Sequence, residues 1–202
     1  MDEFTLADVD RIPGKDRLGE KLFRVFGGEF VERVKSSPKI LRIEDFGVGY
    51  GFTTKQLLKA GAITTANDLS EDHLKVLWDT TSEEERSPLH LVPENVVNLE
   101  FPDGSFDGIM ACRWFNFLTV DEVLKVLKKF HKWLVPGGRI CVTMEFLCSA
   151  WYVNEYPKYL KRKRNREEWP GVFQTESGPQ FEANITLPAK SIHYDEYMGI
   201  TI

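Results

Sequence analysis

Apolar side chains recur at spacings of three and four across residues 18–34: Leu18, Leu22, Phe23, Val25, Phe26, Phe30, Val31 and Val34. That period predicts a helix, kinked at Gly27-Gly28 and ended by Ser36, Ser37 and Pro38. The residues before it, 1–17, are polar and broken by Pro13 and Gly14, and read as an arm or capping segment. From residue 39 onward the pattern changes, and short apolar runs alternate with amphipathic stretches. Strands are predicted over 40–46, 63–67, 106–112 and 139–146, with a shorter one near 89–92 or a few residues later. Helices are predicted over 53–59, closed by Gly61, and over 71–78, capped by Ser70. A third starts at Thr119 and buries Val123, Leu124, Val126, Leu127, Phe130 and Leu134. The charged stretch 82–86 reads as surface, and Pro136-Gly137-Gly138 as a tight turn.

Strands and helices alternating at this pace define an α/β fold. The expected architecture is a three-layer Rossmann-like sandwich, a mostly parallel sheet with helices on both faces. Right-handed crossovers place the turn after the first strand at the carboxyl edge of the sheet, where ligands bind in such folds. Arg42 and Glu44 break the rule that a central parallel strand is apolar on both faces. They are expected to pair with other charges, or the strand is less covered than the rule supposes.

That first turn carries the most informative residues. Asp45-Phe46-Gly47-Val48-Gly49-Tyr50-Gly51 places three glycines at alternate positions between strand and helix. Glycine tolerates positive φ and has no Cβ, so such a backbone can pass close to a bound nucleoside. The spacing is G-x-G-x-G, and Phe52 stands where the dinucleotide fingerprint needs its third glycine. A pyrophosphate cofactor, and with it a nucleotide-dependent oxidoreductase, is therefore disfavoured. Asp45, two residues before the first glycine, would repel a phosphate and favour a cationic ligand.

Composition narrows the picture without redirecting it. The chain has 202 residues, 42% of them hydrophobic, which suits one domain with a proper core. A net charge of −5 gives no general pull towards nucleic acid. Cys112, Cys141 and Cys148 form no C-x-x-C pair, as suits a reducing cytosol. No stretch has the length of a membrane span, and the expected location is cytoplasmic.

Four segments together resemble the class I S-adenosylmethionine-dependent methyltransferases. Residues 44–51 are similar to that family's D-x-G-x-G-x-G loop, and 65–70 to the acidic end of its second strand. Residues 99–107 are similar to the stretch that leads into the fourth strand, and 134–139 to the turn before the fifth. They occur in family order and span roughly residues 39–146. The resemblance implies S-adenosyl-L-methionine as cofactor and S-adenosyl-L-homocysteine as product. It implies that Gly47, Gly49 and Gly51 approach the methionine and ribose parts, while Asp45 orients the loop. Asp68, with Leu69 beside it, would accept from the ribose hydroxyls. At the adenine end the family's acid falls on Asn95, a weaker acceptor, with the Val96 N–H as a possible partner of a ring nitrogen. Cys112 and Arg113, with Trp114 as core or site, follow the fourth strand, where the family lines the cofactor.

No residue identifies itself as a catalytic base; Glu145 and His193 are the candidates, while His73, His90 and His131 read as surface. No D…D-N pattern for a catalytic magnesium is present, so no metal is expected. The domain division expected is an N-terminal helical cap (1–38), a cofactor-binding core (39–146), a substrate-lid insertion (147–190) and an incomplete C-terminal element (191–202). A family domain has two further strands, so the domain is abbreviated or the sequence is a fragment or isoform. A second subunit could then cover the edge, as a homodimer. The acceptor expected is a small molecule. The basic residues between Lys158 and Arg166 keep protein or RNA substrates open, with a solvated helix face as the plainer reading. The rival function is a non-catalytic relative acting through a binding partner.

Overall fold

The computed structural model describes residues 27–143, 156–168, 170–171 and 200–201. Helix α1 (Gly28–Lys35) precedes strand β1 (Arg42–Phe46), followed by α2 (Phe52–Lys59), β2 (Ile63–Asn67), α3 (Glu71–Asp79) and a single turn, α4 (Glu83–Arg86). Then come β3 (Leu89–Val92), β4 (Phe106–Cys112), α5 (Val120–Trp133), β5 (Leu134–Thr143), α6 (Tyr156–Arg164) and β6 (Ile200–Thr201). The strands form one sheet in the order β3-β2-β1-β4-β5-β6. The first five run parallel, and β6 is antiparallel to β5, with Val142 beside Ile200 and Cys141 beside Thr201.

Helices cover both faces, as the α/β alternation implies. On one face Ile43, Met110 and Cys141 pack against Phe30 and Val34 of α1 and Leu57 of α2. On the other Phe46, Ile109, Ile140 and Val142 pack against Val123, Val126, Phe130 and Trp133 of α5. Burial of this kind is worth about 25 cal/mol per Å² of apolar surface, which is why the strands need no charged surface to place them. Helix α5 opens on a capping box: Thr119 Oγ1 accepts from Glu122 N, and Glu122 Oε2 accepts from Thr119 N at 2.8 Å.

Three expectations are corrected. Leu124, expected inside, is 44% exposed, and Lys129 is buried in its stead. The Lys129 ammonium donates to the carbonyls of Val97 and Leu99 and pairs with Glu100, so it sews the segment before β4 to α5. Apolar spacing cannot foresee a lysine that finds three oxygen partners. Second, Pro136-Gly137-Gly138 does not separate a helix from a new strand. Strand β5 already begins at Leu134 opposite Phe106, and the turn is an irregularity inside it, since the next pair is Arg139 with Gly108. Third, the two charges of β1 fare differently. Arg42 sits at the exposed start and binds Asp107 through Nε at 3.1 Å. Glu44 is fully buried, and neither carboxyl oxygen has a hydrogen-bond partner.

Residues 1–26, most of the expected lid, and all of 191–202 except β6 lie outside the described residues; of the expected cap, α1 is described and packs on the sheet. The basic part of the lid that is described is α6. Tyr159 is its buried residue, and Lys158, Lys161, Lys163 and Arg164 are exposed.

Candidate functional site

The site is assembled where β1 and β2 end side by side. Asn67, the last residue of β2, turns its carbonyl to the loop and accepts from Gly47 N at 2.8 Å and Val48 N at 3.2 Å. All three loop glycines have positive φ: 65° at Gly47, 52° at Gly49 and 81° at Gly51. Their surroundings divide them. A Cβ on Gly47 would lie 2.3 Å from the Trp114 ring, and one on Gly51 would lie 2.2 Å from Leu77 Cδ1. A Cβ on Gly49 would meet nothing within 4 Å. The outer two glycines serve the protein's own packing, while the middle one faces open space.

Asp68 closes the other side. Its Oδ2 accepts from Gly49 N at 2.8 Å, and its Oδ1 accepts from Ser70 N at 2.9 Å. The end of β2 thus holds the loop in the conformation that leaves the Gly49 side bare. Leu69, next in the chain, is 71% exposed and offers an apolar surface beside the carboxylate. Spacing places Asp68 near the loop; the bond to Gly49 is visible only in three dimensions.

Asp45 lies under the loop. It is buried and accepts from Thr54 Oγ1 at 2.7 Å, so it reaches back to the first turn of α2. Burial pushes its carboxyl up to about 7; the Thr54 bond opposes that rise and neighbouring Asp68 adds to it. Burial, with Asp45 beside it, pushes the Cys112 thiol up to about 12, and Cys141 reaches about 11 for the same first reason. Both thiols therefore stay protonated at neutral pH and are poor nucleophiles.

The remaining candidates sit around this centre. Arg113, just after β4, has φ 55°, and its N–H donates to Thr143 O at 2.8 Å. A non-glycine residue in that region carries about 1–2 kcal/mol of strain. Trp114 stacks on Phe46, centroids 5.7 Å apart, and is half-buried beneath Gly47. Asn95 caps a turn: its Oδ1 accepts from Val97 N at 2.9 Å. Val96 is buried in the α5-side core. Glu145 and His193 lie outside the described residues. Two contributors escaped the sequence reading. Thr54 gave no signal apart from its place one turn into the helix. His73, read as surface, touches Asp68; its position five residues past the acid, after the Ser70 cap, was the available clue.

The strand order thus brings an open glycine loop and a carboxylate together at the carboxyl edge of a parallel α/β sheet. Residues 44–142 match the family model described as a methyltransferase domain. Over that span the chain is similar to methyltransferase domains, and its sheet has the fold of the class I methyltransferases. It is 28% identical over 131 residues to an uncharacterised methyltransferase of Oceanobacillus iheyensis, covering 65% of this chain and 58% of the relative. A demethylmenaquinone methyltransferase of Listeria monocytogenes is 33% identical over 100 residues, 48% of this chain and 41% of the relative. The chain thus spans less than two thirds of these relatives. Among solved structures, a glycopeptide N-methyltransferase complexed with S-adenosyl-L-methionine aligns with TM-score 0.51 at 20% identity, covering 61% of this chain and 55% of that one. At that identity the likeness is one of fold.

Proposed function

We propose that this protein transfers a methyl group from S-adenosyl-L-methionine to a small-molecule acceptor. The observation that carries the reading is the bare side of Gly49, held open by the bond from its N–H to Asp68. The residues present fit the cofactor. A ribose diol asks for a carboxylate, and Asp68 stands beside the open side; such bonds are charge-assisted. An adenine asks for an apolar face, and exposed Leu69 adjoins the same carboxylate. A cationic ligand asks for negative charge, which Asp68 supplies beside the loop. When bound, the cofactor supplies a methyl group already activated for displacement. The chain's share is then to orient the acceptor and exclude water. Cys112 and Cys141 do not compete as nucleophiles, since their thiols hold their protons.

A small acceptor is favoured by the match to the Listeria enzyme, whose name gives it demethylmenaquinone. Cys112 and Cys141 are not joined in a disulfide, in keeping with a cytosolic protein, and no described helix is long and apolar enough to cross a membrane. The test is calorimetric titration with S-adenosylhomocysteine and with NAD, followed by incubation of the protein with radiolabelled S-adenosylmethionine and small-molecule fractions. Binding of the first ligand alone, and label transferred to a small molecule, is expected. Failure to bind it would end the cofactor reading; label appearing only in RNA or protein would end the acceptor reading.

Asp68→Ala is expected to weaken S-adenosylhomocysteine binding by about 1–3 kcal/mol, because it removes a charged acceptor and frees the Gly49 N–H. Unchanged affinity in the same titration would mean that the sugar is held elsewhere.

A further inference from the structure

The Asp68 carboxylate is more fully engaged than a ribose site requires. A carboxylate offers about four lone-pair positions, two on each oxygen. Oδ2 accepts from Gly49 N at 2.8 Å, while Oδ1 accepts from Ser70 N at 2.9 Å and also meets His73 Nδ1 at 3.1 Å. Because the carboxylate only accepts, the imidazole must carry its proton on Nδ1. Oδ1 therefore has both positions filled, and Oδ2 keeps one.

A diol that straddles the carboxylate needs a place on each oxygen. Two of the three resident donors are backbone N–H groups that the loop and the start of α3 fix in place. The third is a side chain. His73 is 39% exposed and leans edge-on against Tyr50, centroids 5.0 Å apart, so the ring has solvent on one side into which it can turn. It is the one donor that can leave without unmaking the fold.

We propose that His73 is a latch on Asp68, which the ribose diol displaces. The inference rests on the cofactor reading above and adds a positioning residue to that site. Its chemistry sets a direction. A protonated imidazole donates a charge-assisted bond and holds Asp68 more tightly than a neutral one. Acidification therefore strengthens the latch and weakens nucleoside binding, and binding releases a proton when it opens the latch.

Other titrating groups act nearby. Asp68 and Tyr50 face the ring from β2 and the loop, and Glu71 and Asp72 share its helical turn. Asp45 lies behind Asp68, and its buried carboxyl also loses charge on acidification. Wild-type affinity alone thus mixes Asp45 with His73, and the comparison must be between proteins that differ only at His73.

The experiment titrates S-adenosylhomocysteine into the full chain and into His73→Leu at pH 6 and pH 8, in two buffers of different ionisation enthalpy. The exposed position on α3 tolerates leucine, and a His73→Gln variant keeps a donor that does not titrate. At pH 6 His73→Leu is expected to bind about ten- to a hundredfold more tightly than wild type, the worth of one charge-assisted bond. The gap should close at pH 8, proton release should fall in both variants, and His73→Gln should share the flatter profile. Parallel pH profiles in the two proteins, or weaker binding by His73→Leu at both pH values, would overturn the latch while leaving the cofactor reading intact. Absence of binding by every protein at both pH values would overturn the cofactor reading, and the latch with it.

Discussion

The same substitution made two residues apart is expected to act chiefly on stability in Gly47→Ala and chiefly on ligand binding in Gly49→Ala. At Gly47 the new methyl would stand 2.3 Å from Trp114 Cδ1, 2.6 Å from Cγ and 2.8 Å from Cβ. The last two atoms are close to the backbone and cannot swing away. The indole is also fixed by its neighbours, stacked on Phe46 and edge-on to Phe115. Overpacking typically costs about 1–3 kcal/mol, and a side chain at φ 65° adds about 1–2 kcal/mol. Gly47→Ala should therefore lose about 2–5 kcal/mol in urea unfolding. That is a large share of the 5–15 kcal/mol typical of a folded domain. At Gly49 only the φ term applies, since a Cβ meets nothing within 4 Å. Gly49→Ala should cost about 1–2 kcal/mol of stability. It should nevertheless weaken S-adenosylhomocysteine binding by about 1–3 kcal/mol, because the methyl fills the space given to the ligand. Tight binding by Gly49→Ala would remove the main support for the site. An unimpaired Gly47→Ala would mean that Trp114 is free to move.

The second large effect is a gain. Glu44→Met is expected to stabilise the protein by about 1–3 kcal/mol, the cost of burying a polar group that makes no hydrogen bond. Glu44 lies in the middle of the central strand, fully buried, with both oxygens unpartnered. Burial raises its carboxyl well above the usual range, and neighbouring Asp45 raises it further. Asp45 itself is pushed up to about 7. In the folded chain both acids keep a proton at pH values where the unfolded chain has released it. Their stabilising contribution is complete below about pH 4, falls as pH rises, and for Asp45 is lost once pH passes about 7. Each unit of separation is worth about 1.4 kcal/mol. Wild type should thus lose stability between pH 4 and pH 8, and Glu44→Met should lose less. Equilibrium unfolding at several pH values decides the matter. A variant no more stable than wild type at pH 8 would mean that Glu44 finds a partner in solution.

These effects mark where reading the chain succeeds and where it stops. The spans of β2, β3 and β4 follow from apolar runs bounded by turn residues, because local alternation and tertiary burial agree there. The capping residues Ser70 and Thr119 follow from the same local chemistry. The start of β5 is hidden from the sequence because Pro136-Gly137-Gly138 has the composition of a turn. Pairing of Leu134 with Phe106 on the neighbouring strand overrides it. The burial of Lys129 escapes any local reading because partners for its ammonium come from residues about thirty positions away.

The sequence by itself determined the alternation that makes an α/β sheet, the glycine loop and the acid at the end of the second strand. Each depends on neighbouring residues, whose backbone preferences act over a few positions. Only the tertiary structure decided which glycine faces a ligand, that Arg42 finds Asp107 while Glu44 finds nothing, and that His73 joins Gly49 and Ser70 on Asp68. Those outcomes depend on distances between segments far apart in the chain. Such distances arise when strands pair and helices pack, and no local pattern carries them.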